Sequence, residues 1–334
     1  MSDVVRALVT ASETSGGSAS VHAAGGRRPG AAVASELRDQ RTPAVVVLHG
    51  VFTPCLAQAR RELRRALPGV PLIAFPHDAY DAALFSSRTL LKQAYFVAVE
   101  RPYLRRVDRV LLTADRHLAD LRRHGVGTPT TVVPLGLPLG SPGGSPHHRR
   151  AGPLRALVLG RWDVWDKGLD TLLTAVGGDD RLRRGLTLRL VGPEQGARAR
   201  LTKLARESGA DVELIGWVDD PAQELMACDT VLLPSRKEGF GLSGLQALAA
   251  GRPLLLSSVA GLMDYVGPAD GVVVVTPTVT GVAGGLHRLL DDADRLSARA
   301  EAFAAARLPE FSWDRLLNAL LGTSSPPPLL DEPA

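Results

Sequence analysis

The sequence predicts an α/β protein made of two tandem doubly wound, Rossmann-like domains. Three observations lead there. Ten short apolar, β-branched runs alternate with segments of helical periodicity, and runs that are apolar throughout belong to parallel sheets covered on both faces. A stretch rich in Gly, Pro and Ser, LPLGSPGGSPHHRRAGP (137–153), separates the fourth run from the fifth. A chain of 334 residues, 45% of them hydrophobic, is long enough to bury two cores of ordinary size.

The first 43 residues are irregular. VVRALVT reads as a strand, ASETSGGSASVHAAGGRRPG has little apolar periodicity, and a helix fits only Ala31 to Asp39. Residues 1–30 are therefore expected to be the least ordered part of the first domain. AVVVLHG (44–50), PLIAFPH (71–77), RVLLT (109–113) and TVVPLG (131–136) supply four strands. LRALVLG (154–160), LTLRLVG (186–192), VELIGW (212–217), TVLLPS (230–235), PLLLSS (253–258) and GVVVV (271–275) supply six more. The expected division is a first domain over 1–136, a linker over 137–153 and a second domain over 154–310. A last helix (311–322) packs back on the first domain, and 323–334 form a disordered tail.

Composition excludes several classes. A net charge of +4 and 4% aromatics, with no basic stripe, argue against nucleic-acid binding. Cys55 and Cys228 are too far apart in sequence to suggest a disulfide framework or a zinc site. The N-terminus is not a signal peptide, and no apolar run approaches the ~18 residues of a membrane span. A cytoplasmic protein with at most peripheral membrane contact is expected. RRELRRAL (60–67) fits either a basic helix lying on an anionic membrane or the solvated face of a sheet-covering helix, and the second is favoured. Asp292 and Asp294 spell D-x-D but come after the helical run VAGGLHRLL, which makes a surface loop of them. Neither a metal nor a cofactor is expected.

The densest chemical signal is PSRKEGFGLSGLQALAAGRP (234–253). Gly239, Gly241 and Gly244 match G-x-G-x-x-G, the dinucleotide-binding turn. Two details oppose that reading. Arg236, Lys237 and Glu238 intervene between strand and first glycine, and the next strand ends in serines rather than an acid. What remains is a glycine-rich loop offering backbone amides to a phosphate at a helix N-terminus.

An acid, then Gly-Phe-Gly-Leu, then a polar residue eight positions after the acid resembles the signature of the group 1 (family 4) retaining glycosyltransferases of GT-B fold. LGRWDVWDKGLDTLL (159–173) resembles that family's Gly-Arg…Lys-Gly-Leu-Asp segment. LVGPEQG, VELIGWV, CDTVLLPS, LHGVFTP, FPHDAYD and ERPYLRRVDRVLLTADRHLADL resemble further family stretches in the right order. The resemblance covers roughly 44–320 and implies two domains facing an interdomain cleft. It departs at two places. The second acid is Gln246, and the family's N-terminal strand, glycine loop, helix and strand are compressed into 43 residues, with Gly16-Gly17 as the remnant of the loop.

The resemblance implies the roles. Arg161 and Lys167 grip the donor diphosphate, where growing negative charge needs positive groups. Gly239, Phe240, Gly241 and Leu242 offer amides to it, Glu238 holds sugar hydroxyls, and His77 faces the donor sugar. Gln246 either binds the nucleotide ribose or closes an S-x-x-Q capping box with Ser243. His49, Asp78, Gly16 and Gly17 lie on the acceptor side, and Asp78 and Asp81 fit a turn cap as well. The expected activity is metal-independent transfer of a sugar, hexosyltransferase-like, from a nucleotide sugar to a glycan, lipid-linked or small-molecule acceptor. A non-catalytic nucleotide-sugar-binding protein and a nucleotide-sugar epimerase of the same fold are the alternatives.

Overall fold

The computed structural model describes residues 3–22, 42–50, 52–77, 80, 89–137, 141, 143 and 151–322. The helix expected at Ala31 to Asp39, Asp78, Asp81, most of the 137–153 linker and the 323–334 tail lie outside the described residues. The chain divides into two compact units, one formed by 1–136 with 312–334 and the other by 137–311.

The first unit holds a parallel sheet of β1 (Val46–His49), β2 (Leu72–Phe75), β3 (Arg109–Leu112) and β4 (Thr130–Val132), in that spatial order. Val46 lies opposite Leu72 and His49 opposite Phe75. All four residues of β2 are buried, as its unbroken apolar run requires. The Pro54–Ala66 helix starts with proline, whose fixed φ suits the first helical turn, and ends in Arg64 and Arg65. It turns Leu56, Ala59 and Leu63 into a core with Leu72, Tyr80, Phe96 and Leu104. Arg61 and Arg65 stay exposed while Leu63 and Leu67 are buried, so RRELRRAL belongs to a helix that covers the core with its apolar side and turns these two arginines outward.

The expected strand VVRALVT is instead part of the Asp3–Thr14 helix. A period of 3.6 puts Ala7, Leu8 and Ala11 on one face, and all three are buried. The helix packs on the Trp313–Leu321 helix, which belongs to the same unit. Ser312 caps that second helix, its hydroxyl accepting from the Asp314 amide at 3.1 Å, and Gly322 ends it at φ 71°. Gly136 lies so close to Trp313 that a Cβ there would meet the indole at 2.6 Å.

The second unit contains β5 (Leu154–Leu159), β6 (Leu186–Val191), β7 (Asp211–Gly216), β8 (Thr230–Leu233), β9 (Leu254–Ser257) and β10 (Val272–Val275). All are parallel, in the order β10-β9-β8-β5-β6-β7. The chain begins in the middle of this sheet, builds outward through β7, then returns to place β8 against β5. That reversal is the mark of a doubly wound sheet; the described strands of the first sheet run in sequence order. Helices Leu169–Gly177 and Val279–Asp291 contribute Leu172, Leu173, Val282 and Leu286 to one core with Leu188 and Leu255. Asp292 links two helices and Asp294 lies exposed in the first turn of the second, so D-x-D is a helix junction.

Candidate active site

In an open parallel sheet, adjacent loops diverge at the carboxyl ends of the two strands where the order reverses, and a crevice opens there. In the second unit those strands are β5 and β8. The loop after β5 carries Arg161 and Lys167; the loop after β8 carries Glu238 and the glycines. Asp163 folds the first loop, its Oδ1 accepting from the amides of Trp165 (3.2 Å) and Asp166 (2.8 Å). Gly168 then turns left-handed at φ 65°, and a Cβ there would sit 2.2 Å from the Pro234 carbonyl oxygen. Only glycine lets the two loops approach that closely.

The contact is secured on both sides. The Asp166 carbonyl accepts from the amides of Arg236 (2.9 Å) and Lys237 (3.1 Å). The Arg236 guanidinium lies 5.5 Å from the Trp165 ring centroid and donates to the Trp165 carbonyl (3.0 Å), Asp170 Oδ1 (2.6 Å) and Thr171 Oγ1. Within this frame Lys167 Nζ meets Glu238 Oε2 at 2.7 Å, and Ser235 Oγ donates to the same oxygen at 3.2 Å. Both side chains of the ion pair are largely buried, whereas Arg161 is exposed with Asp166 at 3.5 Å.

Gly241, at φ 101°, precedes the Leu242–Ala249 helix. The Gly239 and Phe240 carbonyls accept from Gly261 (3.1 Å) and Leu262 (2.7 Å), and the buried Phe240 ring lies against Tyr265 at 6.0 Å. In a trans peptide the N–H points opposite to the C=O it shares a plane with. The amides of Phe240 and Gly241 are therefore turned away from the 261–262 segment. Among the described residues, no hydrogen bond engages the amides of Gly239, Phe240 or Gly241. With the unpaired amides of the helix's first turn they form a row suited to an anion. The capping-box reading of Gln246 fails. Gly241, not Ser243, is the N-cap, so Gln246 lies a full turn inside the helix with no end to close.

The first unit brings His49 and His77 together. His49 ends β1, His77 comes two residues after β2, and His49 Nδ1 meets His77 Nε2 at 2.8 Å. The rings stack at 5.0 Å, and Phe75 covers His77 at 4.0 Å. Burial pushes the His49 pKa down to about 3, with the neighbouring His77 adding to it, and burial lowers His77 to about 4. Both are neutral at pH 7, so one ring donates and the other accepts. His77 holds φ 66°, a left-handed conformation that costs a non-glycine residue of the order of 1–3 kcal/mol and concentrates at functional sites. Gly16 and Gly17 close the end of the Asp3–Thr14 helix, coming after a helix rather than a strand.

The family described as family 4 glycosyltransferases in conflict systems matches residues 7–320. The chain belongs to that family. It is 32% identical to a D-inositol 3-phosphate glycosyltransferase of Actinosynnema mirum over 295 residues, 78% of this chain and 67% of that protein. It is 30% identical to a glycogen synthase of Mycobacterium tuberculosis over 183 residues, 51% of this chain, and spans only 42% of that relative's length. Among solved structures, the sucrose-phosphate synthase of Thermosynechococcus elongatus superposes with a TM-score of 0.71 at 22% identity, covering 86% of this chain and 74% of that one. Anabaena HepE with UDP-glucose gives 0.70 at 18%, covering 94% and 88%. At these identities the superpositions establish the GT-B fold.

In this family 4 chain, the sequence pointed to the ends of the ion pair but not to what holds it. Asp163, Trp165, Asp170 and Arg236 fix the two loops, and only Asp163, two residues before Trp165 in WDVWDKG, carries a local turn signal. Among the described residues, no group of three His, Cys, Asp or Glu side chains is placed to hold a metal. No described helix is long and apolar enough to cross a membrane.

Proposed function

We propose that this chain is a glycosyltransferase that moves a sugar from a nucleotide-diphosphate donor to an acceptor hydroxyl, retaining the anomeric configuration. The observation that carries the reading is the Lys167–Glu238 pair at the switch point of the second sheet, beside a row of unengaged amides. As the C1–oxygen bond to the diphosphate breaks, charge grows on phosphate oxygens. Lys167, Arg161 and the amides of Gly239, Phe240, Gly241 and Leu242 are the groups to receive it. Glu238 accepts hydrogen bonds from sugar hydroxyls, and Gln246 accepts one from the ribose. The acceptor oxygen bonds to C1 on the face the diphosphate leaves, and its proton passes to the departing phosphate oxygen.

In the first unit, His77 is the hydrogen-bonding group for the sugar, and His49, Asp78, Gly16 and Gly17 serve the acceptor. Similarity to HepE, solved with UDP-glucose, and to a GDP-mannose-dependent mannosyltransferase of Corynebacterium glutamicum supports a nucleotide sugar as donor. The relatives' names span glycogen, D-inositol 3-phosphate and a phosphatidylinositol mannoside, which supports a glycan, small polyol or lipid-linked acceptor. Cys55 and Cys228, which are not joined in a disulfide, fit a cytoplasmic setting.

UDP-glucose and GDP-mannose, with other nucleotide sugars, are screened by thermal shift and then by donor hydrolysis or transfer. Lys167→Ala and Arg161→Ala should each lower turnover about 10²-fold or more, the scale of losing one charge-stabilising donor. Near-native turnover in both refutes the assignment. Turnover should survive EDTA, because the two cations supply the charge a metal would. Donor binding without turnover favours the binding-protein reading, which Gln246 supports by standing where the resemblance expects a carboxylate.

A further inference from the structure

We infer that Glu100 is a positioning residue for His49 and His77, tying together with one carboxylate oxygen the Phe52 amide and the Tyr80 hydroxyl that follow them in the chain. Glu100 Oε1 accepts from the Phe52 amide at 3.2 Å and from the Tyr80 hydroxyl at 2.9 Å. Phe52 stands three residues after His49, and Tyr80 three residues after His77. The same oxygen thus holds the residue three positions after each histidine.

The surroundings show a built arrangement. Glu100 is 1% exposed, and its carboxyl is raised by burial; the groups that oppose the rise are the Tyr80 hydroxyl and the Phe52 amide themselves. A buried carboxyl held by hydrogen bonds alone is expensive to keep unless its partners need it. One partner does. Phe52 has φ 51°, a left-handed backbone its large side chain disfavours, and the bond to Glu100 holds its amide there. The Phe52 ring lies 6.4 Å from Tyr80, 5.7 Å from Tyr95 and 6.4 Å from Phe96, which closes the cluster. On the other segment the Tyr80 carbonyl meets His124 Nε2 at 2.9 Å.

Glu100 ends a π-helical segment, Phe96–Glu100, set between the Thr89–Tyr95 and Arg101–Leu104 helices. A π turn carries one residue more than an α turn, which rotates the next residues of the helix by roughly 100°. Such a turn re-aims the side chain at its end without breaking the helix, and here that side chain is the buried acid.

The consequence for the histidines rests on the proposed function, in which His77 meets the sugar. Its test does not. Glu100→Ala, Glu100→Gln and Tyr80→Phe are made in the full chain labelled with 15N-histidine, and long-range 1H–15N spectra read the His49–His77 hydrogen bond. Turnover and KM are measured with the best donor of the panel. Glu100→Ala should lose the hydrogen-bond signature and lower kcat about tenfold with donor KM changed less than twofold. Glu100→Gln, which keeps an accepting oxygen, should retain both. An alanine variant that folds and keeps the signature overturns the inference, as does a glutamine variant that loses it like alanine. If the alanine variant does not fold, Tyr80→Phe decides: an unaltered signature sinks the proposal and a weakened one supports it. Loss of the signature with turnover intact upholds Glu100 and removes His77 from the proposed function.

Discussion

Acid should loosen the first unit through two histidines. His49 and His77 titrate at about 3 and about 4 in the folded chain, against about 6.5 in an unfolded one. Their folded values are depressed, so between those limits the unfolded state binds more protons and stability falls as pH falls. The contribution is complete above pH 6.5 and is lost progressively down to about pH 4 for His77 and about pH 3 for His49. At pH 5 an unfolded histidine gains about 2 kcal/mol from protonation that a neutral buried one forgoes, so the pair costs about 4 kcal/mol relative to pH 7.5. Against a domain stability of roughly 5–15 kcal/mol that is a large share. Glu100, raised by burial, works in the opposite direction, so the comparison needs a variant that keeps it. His49→Gln/His77→Asn serves, asparagine being tolerant of the left-handed backbone at 77. Amide exchange at Leu48 and Ile73, measured at pH 7.5 and 5.0 and corrected for intrinsic rates, reads the first unit alone. Wild type should lose several kcal/mol more protection than the double variant. Equal losses would refute the proton-poor pair.

Three other perturbations concern the second unit. Gly168→Ala should destabilise it by about 2–4 kcal/mol in thermal or urea unfolding, because a Cβ there meets the Pro234 carbonyl and the φ is left-handed; an unchanged midpoint would show that the loops are not in contact. Arg236→Ala should lower kcat/KM about tenfold, and Arg236→Lys should not restore it, since an ammonium cannot reproduce a guanidinium that stacks on Trp165 while bonding Asp170 and Thr171. Full activity in the lysine variant would refute that role. Gln246→Ala should leave stability within about 0.5 kcal/mol, as it caps nothing, while weakening donor binding, and Gln246→Glu should match or tighten it by calorimetry. A stability loss near 1 kcal/mol would restore the capping role.

The strands were legible because each carries a short apolar run bounded by turn residues; β2, β8 and β9 are buried throughout, whereas β7 alternates exposed and half-buried residues as an edge strand does. VVRALVT misled for a local reason: its β-branched residues favour a strand, while the spacing of Ala7, Leu8 and Ala11 favours a helix, and only a partner face decides. Ser243 offered a cap by residue type, yet Gly241 can adopt the φ of 101° that starts the helix two residues earlier. Arg161, Lys167 and Glu238 were visible as residues, but the meeting of Lys167 with Glu238 depends on β8 pairing with β5 across more than seventy residues. No local pattern encodes that pairing. Glu100 opens a stretch that resembles the family, but its role was not legible for a related reason, since its aim is set by a π turn and its partners lie 48 and 20 residues away.

The first unit is assembled from both ends of the described chain, and this fixes an order of events during synthesis. When residue 136 leaves the ribosome, the helix Asp3–Thr14 has emerged but the Trp313–Leu321 helix that packs on it does not yet exist. The buried faces of Ala7, Leu8 and Ala11 wait for on the order of ten to thirty seconds at ordinary elongation rates. The second unit, continuous from 137 to 311, has no such dependence and can be complete first. Through that interval the first unit is unfinished, and a fragment cut at residue 136 lacks the helix that covers this surface.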